Sequence, residues 1–142
     1  VLVTDMLKGA IPVIIGRSIG MPQESFILAG AISVLGHCFS PFLGFKGGKG
    51  VSSTFGMILA FDPIVAILSF LVEAGSVLIW NYVSLGSIAA VISMVIFLII
   101  RRHSLISIII MILVATLIIV RHRENIKRLL EGKENRFTLK VH

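Results

Sequence analysis

The sequence predicts an all-α integral membrane protein, a polytopic helix bundle with about six membrane segments. Three observations carry the prediction. Of 142 residues, 56% are hydrophobic and only 14% charged, with a mean hydropathy of +1.04. A water-soluble core cannot absorb that much apolar surface. The apolar residues gather into runs, and the polar residues mark the ends of those runs. Finally, the cations are unevenly placed. With the tail set on one side, ten of the thirteen lysines and arginines share its face, and only Arg17, Arg101 and Arg102 oppose them. The positive-inside rule makes the tail side cytoplasmic.

Residues 1–16 form a first segment, interrupted by Asp5, Lys8 and Pro12. Residues 17–23, with Gly20 and Pro22, read as a turn. Residues 24–40 form a second segment whose small residues Ala29, Gly30, Ala31, Ser33 and Gly36 permit close helix packing. Residues 51–61 form a third. About a dozen residues cannot cross a bilayer that requires roughly 20, so a short or partly re-entrant helix is expected. Asp62 and Pro63 open a fourth segment that runs to Trp80. Trp80 and Tyr82 suit an interfacial aromatic belt. Residues 84–100 and 104–120 make the fifth and sixth, joined by Arg101, Arg102 and His103. The Arg101–Arg102 pair is expected to snorkel to headgroups. The chain thus divides into a bundle over 1–121 and a basic cytoplasmic tail over 122–142. Within the tail, Ile126, Leu129 and Leu130 form an apolar stripe on a short interfacial helix that Gly132 would end. Glu124 and Arg128 stand at pairing distance, i and i+4.

The chemistry concentrates in the loop 41–50. Lys46 and Lys49 sit among Gly47, Gly48 and Gly50, just before a helix beginning near Val51. Glycine lets backbone approach a ligand closely, and consecutive N–H groups can form an anion nest. A helix N-terminus adds free donors and a positive dipole end. The arrangement suits a phosphate-bearing ligand. It is not a Walker A loop, because Gly50 rather than Ser or Thr follows Lys49. The competing reading is a basic loop that only fixes topology, but charge alone would not call for the glycines.

Other candidates are scattered. His37, at the cytoplasmic end of the second segment, could act as a base or a phosphate donor, or simply hold a structural partner. Cys38 beside it invites a thiol–histidine dyad, but adjacent helical residues face apart, which argues against one. Glu73 is the one carboxyl deep in a segment, with no partner named by the sequence. Ser84 and Ser87 could bind phosphate oxygens or cap a helix. His122 and Asn125, three residues apart, share a face of the tail helix. No His, Cys, Asp or Glu cluster has metal-ligand spacing, and one cysteine excludes an internal disulfide. The basic residues lie at segment ends and in a short tail, which argues against nucleic acid as a partner and leaves membrane lipids.

Gly36-His37 through Phe45-Lys46-Gly47-Gly48-Lys49-Gly50-Val51 closely resembles the second motif of the bacterial glycerol-3-phosphate acyltransferases that use acyl phosphate. The stretch from His122 to Glu134 resembles their third motif. Asp5, Lys8, Gly9 and Pro12 are similar to the segment after their first, and Tyr82 to Ser87 to a further family stretch. The resemblance implies an inner-membrane enzyme, seven helices when complete, with its active-site face and C-terminus cytoplasmic. It would transfer a fatty acyl group from acyl phosphate to the sn-1 hydroxyl of glycerol 3-phosphate, giving lysophosphatidic acid and phosphate for phospholipid biosynthesis. No cofactor is implied. Lys46, Gly47, Gly48, Lys49 and Gly50, with Ser84 and Ser87, would bind substrate phosphate. His122 and Asn125 would line the active site and His37 would border it, the three being the catalytic candidates.

Three departures accompany the resemblance. The family's first motif and the helix before it are absent, so the chain reads as beginning part-way through such a protein, with turnover by residues 1–142 alone in question. The usual Phe-Pro is Phe39-Ser40-Pro41, and Asn81 stands where the family often has arginine. The alternative reading is a non-catalytic membrane remnant or an anion-binding or transport module. Acyl-chain preference and oligomeric state leave no mark on the sequence.

Overall fold

A computed structural model describes residues 2–39 and 49–138. Of the expected phosphate loop, Lys49 and Gly50 fall within that range, while Lys46, Gly47 and Gly48 lie outside the described residues. The described chain is helical: α1 Leu2–Ser18, α2 Gln23–Cys38, α3 Val51–Phe61, α4 Pro63–Trp80, α5 Val83–Ile100, α6 Leu105–Arg121 and α7 Arg123–Leu130. Every expected segment appears, with its ends within a few residues.

The helices differ in how far they reach. α4 and α5, each 18 residues with mean hydropathy 2.0 and 2.7, are long and apolar enough to cross a membrane. α6 and α7 together form a third such length, broken by a 58° bend. α1 and α2 are shorter, with 17 and 16 residues. α3 has only 11 residues, about 16 Å at the helical rise, against a hydrocarbon layer of about 30 Å. It lies inside the bundle, with Ser53, Thr54, Gly56, Met57, Ile58 and Phe61 buried.

Local sequence explains the boundaries. Asp62 caps α4, its carboxylate accepting from the Ile64 and Val65 N–H groups at 3.1 and 3.4 Å. Pro63 then occupies the first helical position, where its missing N–H costs nothing. Ser104 caps α6 in the same way through the Ser107 N–H. Gly50 precedes α3 at φ +89°, a conformation that other residues resist. Gly132 follows α7 at φ +69°, as expected of a stop.

Packing in lipid relies on close approach rather than on expelling water. The tightest crossing is α1 on α3. A Cβ at Gly9 would lie 1.8 Å from the Ser53 carbonyl oxygen, and one at Gly56 would lie 1.9 Å from that of Met6. The small-residue stripe on α2 contributes less: Gly30 meets Met57 and Val13, but a Cβ at Gly36 would meet nothing within 4 Å among the described residues. Around this crossing Ile27, Val34, Met57, Ile58, Val65, Val91, Leu98 and Ile118 are buried. Leu78, Ile79, Ile100, Leu105 and Leu113 point outward, as lipid-facing residues should.

At the end opposite the tail, Asp62 also accepts from Arg101 Nε at 2.5 Å and lies 2.8 Å from His103 Nε2. Gln23 reaches His103 Nδ1 at 3.1 Å, and Arg17 donates to the Ala60 and Phe61 carbonyls. Burial pushes the Asp62 carboxyl up, but the bonds from Arg101, His103 and Val65 outweigh it and hold the group below its ordinary range. Arg101 is therefore not free to snorkel. It clamps the α5–α6 turn to the α3–α4 corner, because a buried carboxylate needs a counter-charge.

Candidate active site

Where the tail meets the bundle, a cavity of about 550 Å³ opens between α3, α5 and α7. Its walls include Lys49 and Val51 before and in the first turn of α3, and Val83, Ser84 and Ser87 in the first turns of α5. Two helix N-termini thus border one space, where their dipoles favour an anion. The opposite wall carries His122, at the bend between α6 and α7, then Asn125 and Arg128 one and two turns along α7. The segment after α7 closes the remaining side with Glu134, Asn135, Arg136 and Phe137.

Hydrogen bonds fix these side chains. Asn125 uses both ends of its amide: Oδ1 accepts from Lys49 Nζ, and Nδ2 donates to Glu134 Oε2 at 2.9 Å. Glu134 also accepts from Ser84 Oγ at 3.0 Å, Arg128 Nε at 3.2 Å and the Asn135 N–H at 3.0 Å. Burial pushes its carboxyl up, but these donors prevail and bring it down to about 2. His122 is 2% exposed, and its Nδ1 lies 2.7 Å from the Ile118 carbonyl oxygen. A neutral ring therefore carries its proton on Nδ1 and leaves the Nε2 lone pair available. Burial lowers the His122 pKa, the Ile118 carbonyl opposes that, and the Lys49 charge lowers it further. Lys49 itself is lowered, by desolvation first and then by Arg128, with Glu134 opposing.

A second, apolar cavity of about 450 Å³ adjoins the first. Leu2, Met6, Phe55 and Phe70 line it, and Val51 faces both spaces. Between them Ser87 Oγ donates to Glu73 Oε1 at 3.0 Å, which supplies the partner that the Glu73 carboxyl requires. A polar chamber and an apolar one therefore share a wall.

Of the residues expected from sequence, Lys49, Ser84, Ser87, His122 and Asn125 converge on the polar cavity. Gly50 stands beside it as the α3 cap. His37 does not line it: its Nδ1 sits 3.7 Å from Asp5, which Lys8 also approaches at 3.3 Å. Cys38 is fully buried and faces Gly50. Arg128 pairs with Glu134 at 3.2 Å instead of Glu124, which lies 3.9 Å from Arg123. Glu134 organises the cavity more than any expected residue did. Its only trace in the sequence is its place at the end of the third-motif stretch.

The model of the glycerol-3-phosphate acyltransferase family matches residues 1–132. A glycerol-3-phosphate acyltransferase of Aquifex aeolicus is 47% identical over 134 residues, covering 94% of this chain and 70% of the relative. One from Geobacter sulfurreducens is 41% identical over 138 residues, covering 96% and 70%. Among solved structures the chain is similar to PlsY, an integral membrane glycerol 3-phosphate acyltransferase, in its lysophosphatidic acid form. The TM-score is 0.91 at 46% identity, over 96% of this chain and 70% of that one. The glycerol 3-phosphate form of PlsY gives the same TM-score.

Proposed function

The chain belongs to the glycerol-3-phosphate acyltransferase family, and from that premise we propose that acyl phosphate and glycerol 3-phosphate react in the cavity between α3, α5 and α7. The protein is an integral membrane acyltransferase of phospholipid biosynthesis. The observation that carries the placement is convergence: the loop before α3, the first turns of α5 and the α6–α7 bend all bring phosphate-suited groups to one space.

The chemistry follows from the substrates. The sn-1 hydroxyl oxygen attacks the acyl carbonyl carbon and forms the ester bond. The bond from that carbon to the phosphate oxygen breaks, and phosphate leaves with the electron pair. Because phosphate leaves well, positioning and charge stabilisation can supply most of the acceleration, with no covalent enzyme intermediate. Lys49, Gly50, Ser84 and Ser87, with Lys46, Gly47 and Gly48, hold the phosphates. His122 receives the hydroxyl proton on Nε2, its lowered pKa keeping the ring neutral. Asn125 positions Lys49, while His37 pairs with Asp5 away from the cavity wall. The acyl chain lies in the apolar cavity beyond the Ser87–Glu73 pair. Residues 1–121 form the membrane bundle and 122–142 the cytoplasmic tail. The charge bias sets the reactive face towards the cytoplasm of a bacterial inner membrane.

The test is phosphate release from acyl phosphate by the intact purified protein in lipid. Release should depend on glycerol 3-phosphate and fall about a hundredfold in Lys49→Ala. Release that ignores either the acceptor or Lys49 refutes the assignment.

A further inference from the structure

The cations that line the polar cavity are not equally occupied. Lys49 donates to Asn125, and Arg128 is paired with Glu134 at 3.2 Å. Arg136 has no carboxylate partner among the described residues. Its contact is the ring of Tyr82, with the guanidinium carbon 5.8 Å from the centroid.

Its backbone is nevertheless held from both sides. Two residues before it, Glu134 is fixed by Ser84, Asn125 and Arg128. One residue after it, the Phe137 N–H donates to the Asn81 carbonyl at 2.6 Å. Asn81 is itself set at φ 61° as the cap of α4. A cation–π contact at that distance consumes none of the guanidinium N–H donors, which stay available to another partner. Those donors match phosphate in a way an ammonium does not.

We propose that Arg136 is a phosphate-binding residue of the acyl-transfer site, held at the cavity wall by Tyr82 and by the Phe137–Asn81 bond. The inference rests on the placement of that reaction in this cavity. The phosphate it holds belongs either to glycerol 3-phosphate or to the acyl donor, and the two sources are separable.

The test is equilibrium binding of glycerol 3-phosphate, and separately of a nonhydrolysable acyl phosphonate, to the intact protein in nanodiscs. Arg136→Gln weakens one of the two by about tenfold, the scale of one charge-assisted contact, and the ligand affected identifies the phosphate. Arg136→Lys recovers only part of the loss, because the ammonium keeps charge but not the fork. Tyr82→Leu, which leaves the charge and removes its platform, weakens the same ligand. Lys49→Ala is the reference. If Arg136→Gln binds both ligands as the parent does while Lys49→Ala binds less, the proposal for Arg136 is overturned and the cavity assignment stands. If neither substitution changes binding, both fall. Unchanged helical circular dichroism in each variant shows that the comparison concerns binding.

Discussion

Asn125 shows most clearly why residue identity matters here. Its amide must accept from Lys49 and donate to Glu134 at once. Aspartate has the same shape but no donor, and it would set a second carboxylate against Glu134. Asn125→Asp should therefore weaken glycerol 3-phosphate binding at least as much as Asn125→Ala, and titration calorimetry would check this. A tolerated aspartate would mean that the amide does not organise the cavity. His122 and Asn125 were legible because their i, i+3 spacing puts both on one helical face, and the structure turns that face to the cavity. Glu134 was not legible as an organiser. It reaches back nine residues to Asn125 and fifty to Ser84, and no local pattern encodes contacts at such separations. His37 carried the right chemistry in a suggestive motif, but its nearest partner is Asp5 on α1, a tertiary choice that spacing along α2 does not reveal.

At the scale of elements, the segment after α7 is held mainly by one ionised carboxylate. Glu134 stands at about 2 in the folded protein against an ordinary 4.5. A depressed carboxyl contributes stability that is fully present above the unfolded value and lost as pH falls through the folded one. Between pH 4.5 and 2 the melting temperature should therefore drop. Glu134→Gln should start lower and lack that part of the drop. A variant that keeps the whole pH dependence would place the effect elsewhere. The α1–α3 crossing makes a second demand. A side chain at Gly56 would strike the Met6 backbone, which cannot swing aside, so Gly56→Leu should cost about 3 kcal/mol or more, read as a lower melting temperature in detergent. The helices themselves were legible from apolar runs and their caps, Asp62-Pro63 above all. The site of closest packing was not, because several glycines could have provided it and only tertiary contact selects Gly9 and Gly56. Arg101 likewise read as a headgroup anchor until Asp62 was brought beside it.

Across the whole molecule, polar groups collect at two ends and separate by role. One end is a structural clamp of Arg17, Gln23, Asp62, Arg101 and His103. The other holds the cavity, with Lys49, His122, Arg128, Glu134 and Arg136 on its walls. In a Cys38→Ser background, Lys133→Cys should be labelled only from the cytoplasm and Ile19→Cys only from the opposite side; both parent residues are exposed. Reversed labelling would overturn the orientation. The most direct test of the central claim is an experimental structure of the intact protein with glycerol 3-phosphate bound. The account predicts the phosphate in the cavity between the first turns of α3 and α5, within hydrogen-bonding distance of Lys49 and with the sn-1 hydroxyl facing His122. A phosphate seated instead beside His37 and Asp5, or against the Asp62 clamp, would contradict it.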